Sequence, residues 1–385
     1  MNKYTNKNIL IIAGEVSGDL HAAALVQELT KLDNEVKLFG IGGEKMKEAG
    51  VEIIYHLNKM AFMGFAEVVK HLPFIRKVKN DILIEVEKRK TRYAVLIDYP
   101  GFNLNIAKKL KASGIDIIYY ISPQIWAWGG GRIKKIHELV KKMLVVFPFE
   151  EKLYKENNIN AEFVGHPLIK RINEYSFLSE AELKRKFNLD QGKEILLILP
   201  GSRNHEIEDI FPETIKAASR LSDEFNLQIV VACSSNIDEK IFDRFKNEYK
   251  FIVIRNFTYD LIKIAKFGII KSGTSTLEAG LLQLPMIIVY KTSGLTYRIG
   301  KTLIKLKNIG MANIILNENV VPELVQGDVN SNRIYETSKN ILMNEKLYNK
   351  IKTKLGEIRI KIGDKDASAN AARSIYNLIN EAERI

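Results

Sequence analysis

The chain has 385 residues, 46% of them hydrophobic, with only 9 prolines and no low-complexity tract or internal repeat. That length and composition fit two packed domains and exclude a disordered or solenoid chain. Its 58 Lys and Arg outnumber 46 Asp and Glu for a net charge of +12, and Cys233 is the single cysteine. These counts favour anionic partners and rule out an intrachain disulfide or a thiolate metal cluster, as in a reducing cytoplasm.

From the N-terminus, the first apolar run, Ile9–Ala13, is too short for a signal peptide's core. No run reaches the roughly 20 apolar residues that span a bilayer, so a soluble or peripheral protein is expected. Further strand-like runs follow at Val36–Ile41, Ala94–Ile97, Ile117–Ile121 and Met143–Phe147. Segments of helical period separate them, at Leu20–Leu32, Asn103–Ala112 and Ile133–Val140. The alternation falters from Gly165 to Lys193, where a Gly-His-Pro turn and a polar stretch read as a linker. It resumes with strands Ile195–Leu199, Gln228–Ala232, Phe251–Ile254, Phe267–Lys271 and Met286–Val289. The helices of this half are Ile210–Leu221, Tyr259–Ala265 and Leu295–Lys305. Non-alternating apolar strands spaced by helices imply parallel sheets covered on both faces. The expected fold is therefore α/β, with two doubly wound, Rossmann-like domains over residues 1–168 and 193–360. A linker over 169–192 joins them, and a C-terminal helix within 361–385 folds back toward the first domain. Ligands are expected in the cleft beyond the carboxyl ends of the strands.

Several of those strand ends carry chemistry. Ala13-Gly14-Glu15-Val16-Ser17-Gly18-Asp19 ends the first strand, with Ser17 or Asp19 as helix cap and Glu15 facing the cleft. Asp98 directly follows Ala94–Ile97, near apolar walls that raise a carboxyl's pKa, which suits a general base. Trp126 and Trp128, beyond another strand end, suit a sugar face or a core equally well. Pro200-Gly201-Ser202-Arg203 offers a tight turn and a bidentate cation. Ser272-Gly273-Thr274-Ser275 leads into a helix, whose N-terminal N–H groups and dipole suit a phosphate, and Glu278 can accept from sugar hydroxyls. Together the two loops bracket a diphosphate. Leu57–Lys79 mixes Met60, Phe62, Met63 and Phe65 with Lys70 and Arg76. On the residues alone, a core face explains that stripe better than lipid attachment. Scattered histidines, including His166 and His205, give no metal-site spacing.

Taken in order, these motifs closely resemble the lipid-A-disaccharide synthase family. The matching stretches are Ala13–Asp19, Met63–Val68, Asp98–Asn103, Ser122–Trp128, Phe147–Glu150, Val164–Leu168, Pro200–Arg203, Ser272–Gly280 and Val321–Leu324. The resemblance implies a GT-B-type fold and a metal-independent, inverting glycosyltransferase without a cofactor. Such an enzyme moves 2,3-diacylglucosamine from UDP to 2,3-diacylglucosamine 1-phosphate (lipid X), giving the β(1→6) disaccharide 1-phosphate. It implies Asp98 as base, Arg203 as stabiliser of the leaving group, and Glu15, Ser17 and Trp126 on the acceptor side. Donor contacts would come from Gly201, Ser202, Arg203, Ser272, Gly273, Thr274, Ser275, Glu278 and Asn313. Because both substrates carry acyl chains, Met60, Phe62, Met63, Phe65, Lys70 and Arg76 become a membrane-contact surface. That surface would meet the anionic cytoplasmic face of the inner membrane. Nucleic acid is not an expected partner, and a homodimer is left open. Where family members often carry Arg, this chain has Gly129, and Arg132 is the nearby substitute.

Two other readings compete. A UDP-N-acetylglucosamine 2-epimerase-like isomerase shares the scaffold but needs no apolar surface. A non-catalytic, nucleotide-binding peripheral membrane protein needs neither Asp98 nor Arg203.

Overall fold

A computed structural model describes residues 5–60, 72–123, 125, 131–292 and 308–381. The chain forms two compact units, Met1–Arg171 with Asp364–Ile385, and Ile172–Gly363.

The first unit is built on a seven-stranded parallel sheet in the order β3-β2-β1-β4-β5-β6-β7. Its strands are β1 (Thr5–Ala13), β2 (Lys37–Gly42), β3 (Glu52–His56), β4 (Thr91–Ile97), β5 (Asp116–Tyr120), β6 (Lys142–Val145) and β7 (Ala161–Phe163). The central strands bury both faces: Ile9 to Ala13 and Tyr93 to Ile97 are at most 1% exposed. This is why they read as continuous apolar runs instead of alternating ones. Strand order turns between β1 and β4, which run side by side with Ala13 paired to Ile97. Glu15 and Asp98 follow those two ends.

Helix Val16–Leu32 begins directly after Glu15, earlier than the sequence suggests. Neither Ser17 nor Asp19 caps it. The buried Asp19 carboxylate instead accepts from the backbone N–H groups of Gly43 (2.6 Å), Lys45 and Met46 (both 3.1 Å). It thus caps the neighbouring helix Glu44–Glu48, where an anion meets the positive end of the dipole. At the other end of the chain, helix Ala367–Glu381 packs on helix Val16–Leu32. Gly165, at φ +108°, lies where the Lys365 backbone crosses so closely that no Cβ fits. His166 beside it is buried, accepts from Leu168 N–H at Nδ1 (3.2 Å) and packs against Phe147. Burial, with a smaller push from His21, depresses its pKa to about 3. The Gly-His-Pro motif thus anchors the returning C-terminus.

The second unit holds a six-stranded parallel sheet ordered β10-β9-β8-β11-β12-β13. Its strands are β8 (Glu194–Leu199), β9 (Leu227–Cys233), β10 (Ile252–Arg255), β11 (Phe267–Lys271), β12 (Met286–Tyr290) and β13 (Glu323–Val325). The order turns between β8 and β11, so Gly201–Arg203 and Ser272–Ser275 leave adjacent strand ends. The polar stretch expected as a linker carries two short helices, Pro167–Asn173 and Glu180–Lys186. Within this unit Tyr175 donates to the buried Asp260 carboxylate, which also accepts from Leu178 N–H (2.8 Å). Among the described residues no helix is long and apolar enough to cross a membrane.

Candidate active site

In the first unit the site gathers where β1 and β4 end. Asp98 and Tyr99 take left-handed backbone conformations, φ +44° and +47°. Outside glycine such a conformation costs roughly 1–2 kcal/mol per residue, so two in succession require outside support. Four hydrogen bonds hold the pair. The buried Asn103 side chain donates to the carbonyls of Ile97 (3.1 Å) and Asp98 (2.8 Å), and its N–H donates to Tyr99 O (3.1 Å). From β5, the Tyr119 hydroxyl donates to Asp98 O at 2.6 Å.

Two further features fix the turn. Tyr99 lays its ring over Gly14, where any Cβ would overlap it, and its hydroxyl reaches Met60 O at 3.3 Å. Asp98 N–H stays in the sheet, donating to Tyr120 O. The Asp98 carboxyl remains partly buried and accepts a hydrogen bond from the Tyr99 backbone. Burial first, and the charge of exposed Glu15 second, push its pKa up to about 6. A carboxylate so poised is ionised at neutral pH yet basic enough to take a proton from a hydroxyl.

The expected residues around it divide. Glu15 and Ser17 are exposed on the loop and first helical turn, and Glu15 lies near enough for its charge to act on Asp98. Trp126 lies outside the described residues. Arg132 is exposed at the start of helix Gly131–Leu139. Ser122, from the same motif as Trp126, donates to the buried Glu150 (2.6 Å), which also accepts from Phe147 N–H (3.2 Å) and caps helix Pro148–Glu156. Ser122 and the Phe-Pro-Phe-Glu motif are therefore architectural.

In the second unit, Gly201 turns at φ +125°, and a Cβ there would stand 2.7 Å from the Glu206 carboxylate. Glu206 organises the loop: it accepts from Ser202 N–H (3.1 Å) and from Lys271 Nζ (2.7 Å), and lies 3.5 Å from Arg203. Burial opposes its charge, but the Lys271 hydrogen bond and charge outweigh it, and the carboxyl is held below its ordinary value. Asn236 braces Ser202 O from the side (2.7 Å). Arg203 itself, paired with Glu206, keeps 65% of its side chain exposed.

Across the strand end, helix Thr274–Leu281 starts at exposed Gly273 with no side-chain cap. Thr274 beside it is exposed and Ser275 half-buried, at the end where a helix leaves its first N–H groups without intrahelical partners. Glu278, one turn on, accepts from Tyr259 OH at 3.1 Å, which orients its carboxylate.

Three expected contacts take another form. Asn313 is wholly buried: it donates to Val321 O and Glu323 (both 2.8 Å) and accepts from the N–H groups of Val320 (2.9 Å) and Val321 (3.0 Å). In this way it braces the loop before β13. Ser272 donates its hydroxyl to Ile309 O (2.9 Å) and its N–H to Val289 O (2.9 Å), so its donors are also committed inside the fold. Met60, expected on a lipid-facing surface, is 1% exposed and belongs to the core cluster with Phe39, Val78 and Phe102. Of the remaining membrane-contact residues, Arg76 is exposed, while Phe62, Met63, Phe65 and Lys70 lie outside the described residues.

Tyr119, Glu206, Lys271 and Tyr259 escaped sequence reasoning. Tyr119 sits in an apolar strand run and looks like any core aromatic. Lys271 gave the clearest available signal, a charge closing an otherwise apolar run.

A family model described as lipid-A-disaccharide synthetase (LpxB) matches residues 9–378. A lipid-A-disaccharide synthase of Coxiella burnetii (strain CbuG_Q212) is 40% identical over 377 residues, 97% of this chain and 99% of that protein. One from Geobacter metallireducens is 37% identical over 384 residues, 99% of this chain and all of that protein. Among solved structures, a UDP-GlcNAc 2-epimerase from Neisseria meningitidis bound to UDP-GlcNAc superposes with a TM-score of 0.65 at 12% identity, covering 97% of this chain and 100% of its own. CalG4, the calicheamicin glycosyltransferase, gives 0.57 at 12% identity, over 98% and 99%. Epimerase and transferase alike fit at such low identity because the two-domain GT-B scaffold is common to both; the structural likeness carries the fold alone.

Proposed function

This chain belongs to the lipid-A-disaccharide synthase family, and from that premise we propose how its residues divide the work. It is a glycosyltransferase of lipid A biosynthesis. A 2,3-diacylglucosaminyl group passes from UDP to the 6-hydroxyl of 2,3-diacylglucosamine 1-phosphate.

In the proposed mechanism the Asp98 carboxylate takes the proton of the 6-hydroxyl as that oxygen bonds to the anomeric carbon. The bond from that carbon to the UDP oxygen breaks on the opposite face, inverting the centre, and UDP leaves with the electron pair. Arg203 and the N–H groups opening helix Thr274–Leu281 stabilise the departing diphosphate, and Ser202 N–H, held by Glu206, keeps the facing loop in place. Glu278 orients the nucleotide through a sugar hydroxyl. Glu15 keeps Asp98 basic and, with Ser17, faces the acceptor. Attachment to the anionic cytoplasmic face of the inner membrane belongs to the same proposal, with exposed Arg76 contributing charge.

The observation that carries this reading is a carboxyl held at about 6 at the point where strand order turns. UDP-2,3-diacylglucosamine and lipid X, mixed with the protein in detergent micelles, should yield UDP and disaccharide 1-phosphate in equal amounts. An epimerised UDP-sugar formed from donor alone, with no disaccharide, would overturn it.

A further inference from the structure

We propose that Tyr119 and Asn103 are positioning residues that set the reactivity of Asp98, through the backbone and not through its carboxylate. The proposal rests on Asp98 being the base.

The geometry points to it in three ways. First, Asp98 and Tyr99 both lie in the left-handed region, which Asp visits only as a single residue and Tyr rarely, so two in succession need support from outside the turn. Second, both donors converge on one atom: Tyr119 Oη stands 2.6 Å and Asn103 Nδ2 2.8 Å from the Asp98 carbonyl oxygen. That oxygen lies beyond the last β4 residue, at the point where the chain bends out of the sheet. Asn103 also holds the preceding carbonyl, Ile97, so its amide staples the end of the strand to the bend. Third, both clamping side chains are 0% exposed and come from different elements, Tyr119 from β5 and Asn103 from helix Pro100–Ala112.

The phenol also stays a donor across the working pH range. Burial, and then the Asp98 charge, raise its pKa well above the ordinary value, so it does not ionise. The two anchors fix the peptide that carries the base, and so fix which way the carboxylate projects and how much water reaches it.

Without the Tyr119 hydroxyl, the Asp98 peptide relaxes toward an ordinary conformation. Two consequences follow together. The carboxylate swings out of line with the acceptor hydroxyl, and it becomes better solvated, so its pKa falls back toward a normal carboxylate's. A residue that only supported the fold would produce neither effect in a folded variant.

The test is Tyr119→Phe, which removes one hydroxyl and keeps the ring. We expect kcat to fall by about tenfold to a hundredfold, the loss typical of a misplaced catalytic group. KM for both substrates should stay within about twofold, and the acid limb of the kcat profile should move to lower pH. UDP affinity, read by calorimetry, should be unchanged and reports that the protein is intact. Should Tyr119→Phe not fold, Asn103→Ser gives the same three readouts. A kcat within about twofold of wild type, or a lowered kcat with an unmoved acid limb, overturns the positioning role. Activity retained in Asp98→Asn would remove the base itself, a failure separable from that of the clamp.

Discussion

Replacing Asp98 by Asn should make the first unit more stable at neutral pH and leave it unchanged in acid. Raising a carboxyl from its ordinary 3.8 to about 6 means that the folded chain holds the proton more tightly than the unfolded one. Below the lower value the group is protonated in both states and contributes no difference. As pH rises between the two values the unfolded chain releases its proton first, and stability falls. Above about 6 the folded state bears the whole cost of a buried carboxylate. That interval corresponds to about 3 kcal/mol. Allowing for the part of the carboxylate that reaches water, about 2–3 kcal/mol should return when Asn replaces it. For a unit of this size the gain amounts to about 4–12 °C in melting temperature at pH about 7.5, shrinking toward zero near pH about 4. Scanning calorimetry of both proteins across that range measures it directly. An Asn variant no more stable than wild type at neutral pH, or a difference that does not change with pH, refutes the reasoning. The expected gain in stability with loss of activity is the signature of a residue kept strained for chemistry.

Two further outcomes follow from the buried contacts. Glu206→Gln leaves Lys271 without its counter-charge and loosens the Ser202 N–H, so the second unit should lose about 3 kcal/mol in urea unfolding. UDP binding by calorimetry should weaken several-fold in the same variant. Met60→Ser should destabilise the first unit by about 2–5 kcal/mol, as removal of a core side chain does, and leave liposome sedimentation of the remaining folded protein unchanged. Replacing Phe62, Met63 and Phe65 together by Ser should instead release the folded protein from anionic liposomes, and unchanged sedimentation would sink the attachment proposal.

The central strands were legible because burial on both faces makes them continuous apolar runs: β1, β4, β8 and β11 appear in the sequence within a few residues of their bounds. The strands that sequence reading missed, β3, β7 and β13, are edge or near-edge elements of three to five residues. Partial exposure leaves them too mixed in composition to stand out, as in Glu52–His56, where no residue is fully buried. Helix starts were read late at Val16 and Asn204, because their first turns bury small or charged residues, Gly18, Asp19 and Glu206, that carry no apolar period.

At the site, the loops after strands were legible from residue type, since a carboxylate or a Gly-Ser-Arg turn closing an apolar run is conspicuous. What held those loops was not. Asn313 looked like a ligand contact and is a buried brace, and Asp19 looked like its own helix's cap and serves a neighbour. Tyr119 looked like core and holds the Asp98 peptide. The partners of Asp19 and Tyr119 lie on other elements of the sheet unit, and those of Asn313 lie across the loop that follows its own helix, so only the folded chain brings them close.

The central claim is that Asp98 removes the proton from the acceptor hydroxyl. Its most direct test is the pH dependence of kcat for disaccharide formation, compared between wild type and Asp98→Asn at saturating substrates. Wild-type kcat should fall as pH drops through about 6, because protonation removes the base. The Asn variant should be lower by roughly a hundredfold or more at alkaline pH and show no such limb. A variant that turns over within a few-fold of wild type, or that keeps the same acid limb, would contradict it.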